Sequence, residues 1–368
     1  MMDQDIVCQG CGVTIQTENK DELGYTPQSA LSREEILCQR CFRLKHYNET
    51  EDVQMTDDDF FEMVSSLQHT DGLIVYIVDL FDVTGSIIYN LPRIIGNKPI
   101  ILVGNKLDLL PKSTNHRKID HWLRRTANES GISVTDVFLI SSTKGHGIRH
   151  LTEAIEKYRK GRDVYVVGVT NVGKSTMINH LIEQTTGHKE VITTSYFPGT
   201  TLGFIQIPLD DHSNMIDTPG IVNDKQMAHY VSNNDLKKIT PRKEIKSRNY
   251  QLDAGQTLFF GGLARLDFVK GDRQTFTCYF SNELPIHRTK LIQADELYER
   301  QCGKMLVPPD EETASKLPEL VATSYRIESE KTDIVFPGLG WVTVTTDDIT
   351  VVAHSPKDVP ISLRESLI

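Results

Sequence analysis

One segment in the middle of the chain, Gly168-Val169-Thr170-Asn171-Val172-Gly173-Lys174-Ser175, constrains the fold more than any other. It follows the apolar run Val164-Tyr165-Val166-Val167 and leads into Ser175–Ile182, where apolar residues recur with helical spacing. A strand that turns through glycines into a helix is the context in which backbone N–H groups and a helix N-terminus cradle a phosphate. Gly168 and Gly173 let the backbone wrap closely, and the groups from Asn171, Val172 and Gly173 through Lys174, Ser175 and Thr176 supply the positive field. Lys174 is placed to reach the β- and γ-phosphates of a nucleotide, and Ser175 to bind Mg²⁺.

Further segments carry the rest of a guanine-nucleotide site. Asp217-Thr218-Pro219-Gly220 follows Asn214-Met215-Ile216, so Asp217 is expected to hold Mg²⁺ through water and the Gly220 N–H to sense the γ-phosphate. Between the two lies Phe197-Pro198-Gly199-Thr200-Thr201, where Thr201 is the candidate for the second Mg²⁺ hydroxyl and Thr200 its fallback. Upstream, Asn105-Lys106-Leu107-Asp108 ends the apolar run Pro99–Gly104, the place where α/β sheets bind ligands. Asp108 can accept from N1–H and the 2-amino group of guanine, a pattern adenine lacks. Asn105 is expected to tie this loop to the phosphate loop, and the stem of Lys106 to cover the base. Asp136–Ile140 then reads as a strand that delivers Ser141, Ser142 and Thr143 to the guanine O6 through backbone N–H groups. Taken alone, Asn-Lys-x-Asp also reads as a polar turn; the accompanying segments favour the nucleotide reading.

Near the start, Cys8-Gln9-Gly10-Cys11 and Cys38-Gln39-Arg40-Cys41 form two C-x-x-C knuckles. Cys8, Cys11, Cys38 and Cys41 are a candidate tetrahedral Zn²⁺ set, with Gly10 and Gly12 permitting the turn around the metal. The segment 12–37 between them is long for a simple ribbon, which favours a treble-clef-like or loop-inserted finger; a redox or fortuitous pairing is the competing reading. Cys278 and Cys302 stand apart and read as ordinary small residues.

Ras-like GTPases carry the same parts with the phosphate loop first, whereas here the guanine-reading segment precedes it. The chain therefore resembles a circularly permuted GTPase. With the four-cysteine finger, Pro-Gly-Thr-Thr and Asp-Thr-Pro-Gly, the whole chain resembles the YqeH family of circularly permuted, ribosome-associated GTPases. That resemblance implies assembly of the small (30S) ribosomal subunit, with 16S rRNA or a pre-ribosomal particle as partner, and a C-terminal domain that binds RNA or protein. Where Ras-type enzymes place a water-orienting glutamine after Asp-x-x-Gly, this chain has Ile221, so slow intrinsic hydrolysis is expected. Asn171 resembles the asparagine of GTPases that hold K⁺ against the phosphates; its competing role is to shape the loop. Ser142 stands where the common pattern has alanine, which a backbone contact tolerates. No arginine is singled out as a catalytic finger.

The expected organisation is a finger with an acidic connector over 1–55, a permuted α/β GTPase domain over 56–223 and a β-rich RNA- or protein-binding domain over 224–368. Phe60–Val64 is expected to begin a helix and Leu73–Asp79 to form a buried strand, after which strands and helices alternate. Beyond 224, Thr257–Phe260, Thr275–Phe280, Asp333–Phe336, Trp341–Thr345 and Thr350–Ala353 read as strands. The permutation leads Asp217–Ile221 directly into the C-terminal segment, so nucleotide state could be relayed there. A formal charge of -10 argues against a chain coated in nucleic acid. The charge is unevenly spread, however, and Lys237, Lys238, Arg242, Lys243, Lys246 and Arg248 face only Glu244. That run is either a footprint for RNA phosphates or a solvated helix face. No apolar run approaches the roughly 18 residues of a membrane span, and Met1–Asp5 lacks the pattern of a signal peptide, so no membrane partner, no DNA and a cytoplasmic location are expected. A GTP-regulated RNA-binding module and a chaperone for a non-ribosomal client are the alternative functions.

Overall fold

The run Leu73–Val78 has no polar residue to turn toward water, and in the computed structural model it is buried along its whole length as β1 (Gly72–Asp79). The structure describes residues 6–9, 13–20, 22–33, 35–47, 54–55, 66–89, 91–186, 205–218, 220–221, 223, 225–346 and 348–368. The expected helix at Phe60–Val64 and the acidic connector at Asp57–Asp59 lie outside them. Two units are formed: Met1–Leu80, Ser86–Leu107 and Asp120–Val222 make the first, and Phe81–Gly85, Asp108–Ile119 and Asn223–Ile368 the second.

In the first unit β1 joins β2 (Ile100–Asn105), β3 (Asp136–Leu139), β4 (Asp163–Val167), β5 (Ile205–Pro208) and β6 (Asn214–Asp217) in one six-stranded sheet. Its order is β3-β2-β1-β4-β6-β5, parallel except for β5. If strands are counted from β4 to β6 and then from β1 to β3, the first strand counted is central and the chain winds outward on both sides. That is a doubly wound sheet entered at a different point, and its switch lies between β4 and β1. Register sets Asp79 beside Asn105 and Asp217 beside Val166, so the chemistry-bearing residues collect at the carboxyl ends of the strands. The finger belongs to this unit, with α1 (Gln39–Tyr47) opening inside its second knuckle. The other long helices here are α2 (His116–Glu129, entered from the second unit), α3 (Ile148–Arg159) and α4 (Lys174–Thr186). A short strand, Gln54–Met55, pairs in parallel with Gly220–Ile221.

Among the described residues the second unit holds ten strands: β7 (Arg248–Leu252), β8 (Gln256–Phe260), β9 (Ala264–Lys270), β10 (Gln274–Phe280), β11 (Ile286–Lys290), β12 (Leu320–Ile327), β13 (Thr332–Phe336), β14 (Gly340–Val344), β15 (Ile349–Pro356) and β16 (Ser362–Glu365). They form two five-stranded sheets, β11-β8-β9-β15-β12 and β16-β13-β14-β10-β7. The sheets share one core, in which Phe260 stacks on Phe280 at 4.2 Å and Phe268 meets Phe276 at 5.0 Å between ring centroids. Along β10 burial alternates, turning Phe276, Cys278 and Phe280 inward; Cys278 is thus a small core residue. The short segment Phe81–Gly85 belongs to this unit: Phe81 lies 5.9 Å from Trp341, and the Asp82 carboxylate accepts from the Gly338 N–H at 2.8 Å. Among the described residues, no helix is long and apolar enough to cross a membrane.

Candidate functional site

Between β4 and α4 the chain wraps through Asn171 at φ +62° and Gly173 at φ +92°. The second value suits glycine, and the space demands it as well: a Cβ on Gly173 would lie 2.4 Å from Nδ2 of Asn105. Gly168 is equally close-set, since its Cβ would meet the Ile77 carbonyl oxygen at 2.7 Å. Lys174 is fully buried, and its Nζ donates to the carbonyls of Gly168 at 3.4 Å and Val169 at 3.2 Å. A phosphate in this loop would exchange those neutral partners for charged oxygens, to which an ammonium binds about twice as strongly. Ser175 is buried in the first turn of α4, while Thr176 is exposed.

Asp217 ends β6, buried to 1 % exposure. Thr218 anchors the turn after it by donating its hydroxyl to the Val166 carbonyl at 2.8 Å. Gly220 comes so close to the phosphate loop that a Cβ there would lie 2.8 Å from Nζ of Lys174 and 2.9 Å from the Thr170 nitrogen. The hydroxyl of Ser175 and the carboxylate of Asp217 are hard oxygen donors of the kind Mg²⁺ takes, which fits the ion. Thr200 and Thr201 lie outside the described residues.

At the segment expected to read guanine, Asn105 joins three segments. Its Nδ2 donates to the Val172 carbonyl at 2.8 Å, and its Oδ1 accepts from the Ser142 N–H at 2.9 Å and the Ser142 hydroxyl at 3.0 Å. The alanine-to-serine departure at 142 therefore adds a bond. Lys106, at φ +66°, sends its Nζ 2.7 Å from Oδ2 of Asp79. Asp108 is the middle residue of the 3-10 turn Leu107–Leu109. Ser141 caps the next turn, its Oγ accepting from the Lys144 N–H at 3.1 Å, and Thr143 is exposed beside it.

In the finger, one sulfur from each of Cys8, Cys38 and Cys41 lies within 4.8 Å of the others, all three residues buried. Tetrahedral zinc with Zn–S bonds of ~2.3 Å holds sulfurs a little under 4 Å apart, so these three fit Zn²⁺. The Cys38 N–H donates to the Cys8 sulfur at 3.2 Å, which favours thiolate there. Cys11 lies outside the described residues.

Two participants escaped the sequence reading. Asp79 carries no motif, and only the register of β1 against β2 brings it to Lys106. Arg40 stands between Gln39 and Cys41 in the second knuckle, and its Nη2 donates to Oδ2 of Asp217 at 2.5 Å and to the Asp217 carbonyl at 3.2 Å. A charged residue inside a metal knuckle was the only signal available for it. The basic run after residue 236 divides. Lys237, Arg242, Lys243 and Lys246 are exposed, Lys238 pairs with Asp235 at 3.0 Å, and Arg248 is half-buried with bonds to the Leu284 and Ser281 carbonyls at 2.7 Å and 3.2 Å. Burial lowers the Arg248 pKa, and its guanidinium serves the fold of the second unit.

Comparison with known proteins covers nearly the whole chain. A family model described as "YqeH-like, C-terminal" matches residues 273–367, and one described as "50S ribosome-binding GTPase" matches 163–248. The YqeH protein of Bacillus subtilis is 55% identical over 99% of this chain and 100% of its own length. NO-associated protein 1 of Arabidopsis thaliana is 28% identical over 98% of this chain and 76% of its own. Human nitric oxide-associated protein 1 is 25% identical over 98% and 74%.

Proposed function

The chain belongs to the YqeH family of GTPases, and from there we propose that it is a GTP-hydrolysing switch acting in assembly of the small ribosomal subunit. The observation that carries the nucleotide part is the Asn105 side chain, which bonds the guanine-reading strand end to the phosphate loop. In this reading Asp108 selects guanine, Lys106 covers the base, and Ser141, Ser142 and Thr143 receive O6. Asn171, Val172, Gly173, Lys174, Ser175, Thr176 and Gly220 hold the phosphates. Ser175, Thr201 and Asp217 hold Mg²⁺; Cys8, Cys11, Cys38 and Cys41 hold Zn²⁺.

Mg²⁺ held by Ser175, Thr201 and Asp217 would supply neutralisation of the phosphate charge. Lys174 adds a buried ammonium, and the backbone of the loop orients the chain of phosphates. With Ile221 in place of a glutamine, water is not oriented from that position, and intrinsic turnover is slow. Asn171 is the residue through which K⁺ would stimulate it; equal rates in K⁺ and Na⁺ would remove that role.

The ribosomal part is supported by the resemblance and by the exposed Lys237, Arg242, Lys243 and Lys246, which offer cations for RNA phosphates. It places the chain in the cytoplasm, with 16S rRNA or a 30S precursor as the target and the β-rich segment after residue 223 as the reader of nucleotide state. GTP turnover in K⁺ tests this, with purified 30S and, separately, 50S particles. Stimulation by 30S particles that is lost in Lys174→Ala is the expected result. Stimulation by 50S particles alone would reassign the subunit, and indifference to both would favour a GTP-regulated module or chaperone with a non-ribosomal client.

A further inference from the structure

The finger grips the segment expected to sense the γ-phosphate at two separate points. Arg40 is bonded to the carboxylate and the carbonyl of Asp217, and the Arg40 and Asp217 side chains are 3% and 1% exposed. Three and four residues further on, Gly220 and Ile221 pair with Gln54 and Met55. Neither contact is required to build the sheet, because Asp217 already pairs with Val166 on one side and Ile205 on the other. A guanidinium this deeply buried needs anionic partners, and among the described residues it is paired with the carboxylate assigned above to Mg²⁺.

We propose that Arg40 and Mg²⁺ compete for Asp217, so that the zinc knuckle restrains the Asp217–Ile221 segment and Mg²⁺-nucleotide loosens it. This rests on the assignment of Asp217 to the Mg²⁺ site. A fixed monovalent cation on one carboxylate oxygen repels a divalent ion approaching the same group, and low local polarity strengthens that repulsion. Arg40 is not a freely swinging side chain: Cys38 and Cys41 of the thiol cluster flank it in sequence, and the Phe42 N–H donates to the Cys38 carbonyl at 2.9 Å as α1 begins. A gain of Mg²⁺ at Asp217 is therefore felt at the start of α1, which makes the finger a reporter of nucleotide state.

The test is retention of a fluorescent GDP as a function of Mg²⁺, in buffer freed of divalent ions by cation exchange so that zinc is left in place. Arg40→Gln should lower the half-saturating Mg²⁺ by at least about fivefold, within the range of ordinary site-to-site coupling. Arg40→Lys, which keeps the charge, should stay near the unmodified chain. An unchanged or higher half-saturating Mg²⁺ in Arg40→Gln overturns the proposal while GDP binding itself leaves the nucleotide assignment standing. Absence of Mg²⁺-dependent GDP binding in the unmodified chain overturns both. A second measurement needs no variant: amide hydrogen exchange over Gln39–Tyr47 should be faster with Mg²⁺ and GDP than with GDP alone. Equal or slower exchange overturns the competition.

Discussion

The Asn105 carboxamide donates to the carbonyl of Val172 at 2.8 Å, across 67 residues of sequence. Asn105 ends one strand of the sheet and Val172 lies in the loop after another. Its other end accepts from both the N–H and the hydroxyl of Ser142, so one side chain ties together three loops that the proposed function places around the nucleotide. Permutation of the chain leaves that spacing untouched, because the bonds depend on where strands lie in the sheet and not on their order in sequence.

Replacing Asn105 by alanine leaves the Val172 carbonyl and the Ser142 N–H without these partners in a buried setting. Each such orphaned group costs about 1–3 kcal/mol, which corresponds to roughly 5- to 150-fold in affinity if the loss falls on nucleotide binding. Titration with fluorescent GDP should show a weakening in that range. An unaltered Kd would mean that the three loops are positioned without Asn105.

Gly173→Ala attacks the same contact from the other side, since its Cβ would sit 2.4 Å from Asn105 Nδ2 at a φ of +92°. GDP binding should weaken by at least about 10-fold, as 1.4 kcal/mol of strain suffices for that. The double variant with Asn105→Ala should bind better than the sum of the two losses predicts, because the collision is removed. Strict additivity would place the damage in the backbone alone.

Cys38→Ser should release zinc from the finger. Cys8, Cys38 and Cys41 are buried together with Leu37 in a small cluster, too little apolar surface to hold the segment without a metal. Elemental analysis should find stoichiometric zinc in the unmodified chain and a large deficit in the variant, with new sensitivity to protease near residue 38. Full zinc content in the variant would exclude Cys38 as a ligand.

Acid should weaken the second unit through Asp267. Burial pushes this carboxyl up, but bonds from His354 at 2.8 Å, Arg265 at 2.6 and 2.8 Å and Thr257 at 2.7 Å more than offset it and hold the pKa below the usual carboxylate range. A folded pKa below the unfolded one gives stability that is complete above the unfolded value, about 3.9, and is lost as pH falls through the folded value. Asp267→Asn should cost about 1–3 kcal/mol near neutrality, because it removes the buried carboxylate partner of Arg265 and leaves it only the exposed Asp295, and should flatten the decline below pH of about 4. Urea melts followed by Trp341 fluorescence in a Trp122→Phe background would show it; an acid limb identical to that of the parent would clear Asp267.

Local chemistry was legible wherever neighbours in sequence do the work. A glycine-bounded turn between an apolar strand and a helix specifies a phosphate loop from within one stretch, and β1 and β2 announce themselves as unbroken apolar runs. The second unit was legible at its centre and obscure at its rim. The strands β7, β11, β12 and β16 escaped the reading, and all four are sheet edges with partly exposed side chains; β7, β11 and β16 carry mostly polar residues, while β12 mixes apolar and polar residues without alternation. β9 escaped for another reason: Arg265 and Asp267 break its apolar pattern and neutralise each other only once folded.

The residue order alone determined the nucleotide chemistry, the permuted order of its parts and the thiols of the finger. The tertiary structure decided which distant groups complete them. Lys106 finds Asp79 through strand register, Asn105 finds Val172 through the packing of two loops, and Arg40 finds Asp217 across 177 residues. Such pairings leave no periodicity in the sequence, because a buried charge chooses its counter-charge by distance in space, and only the folded sheet sets that distance.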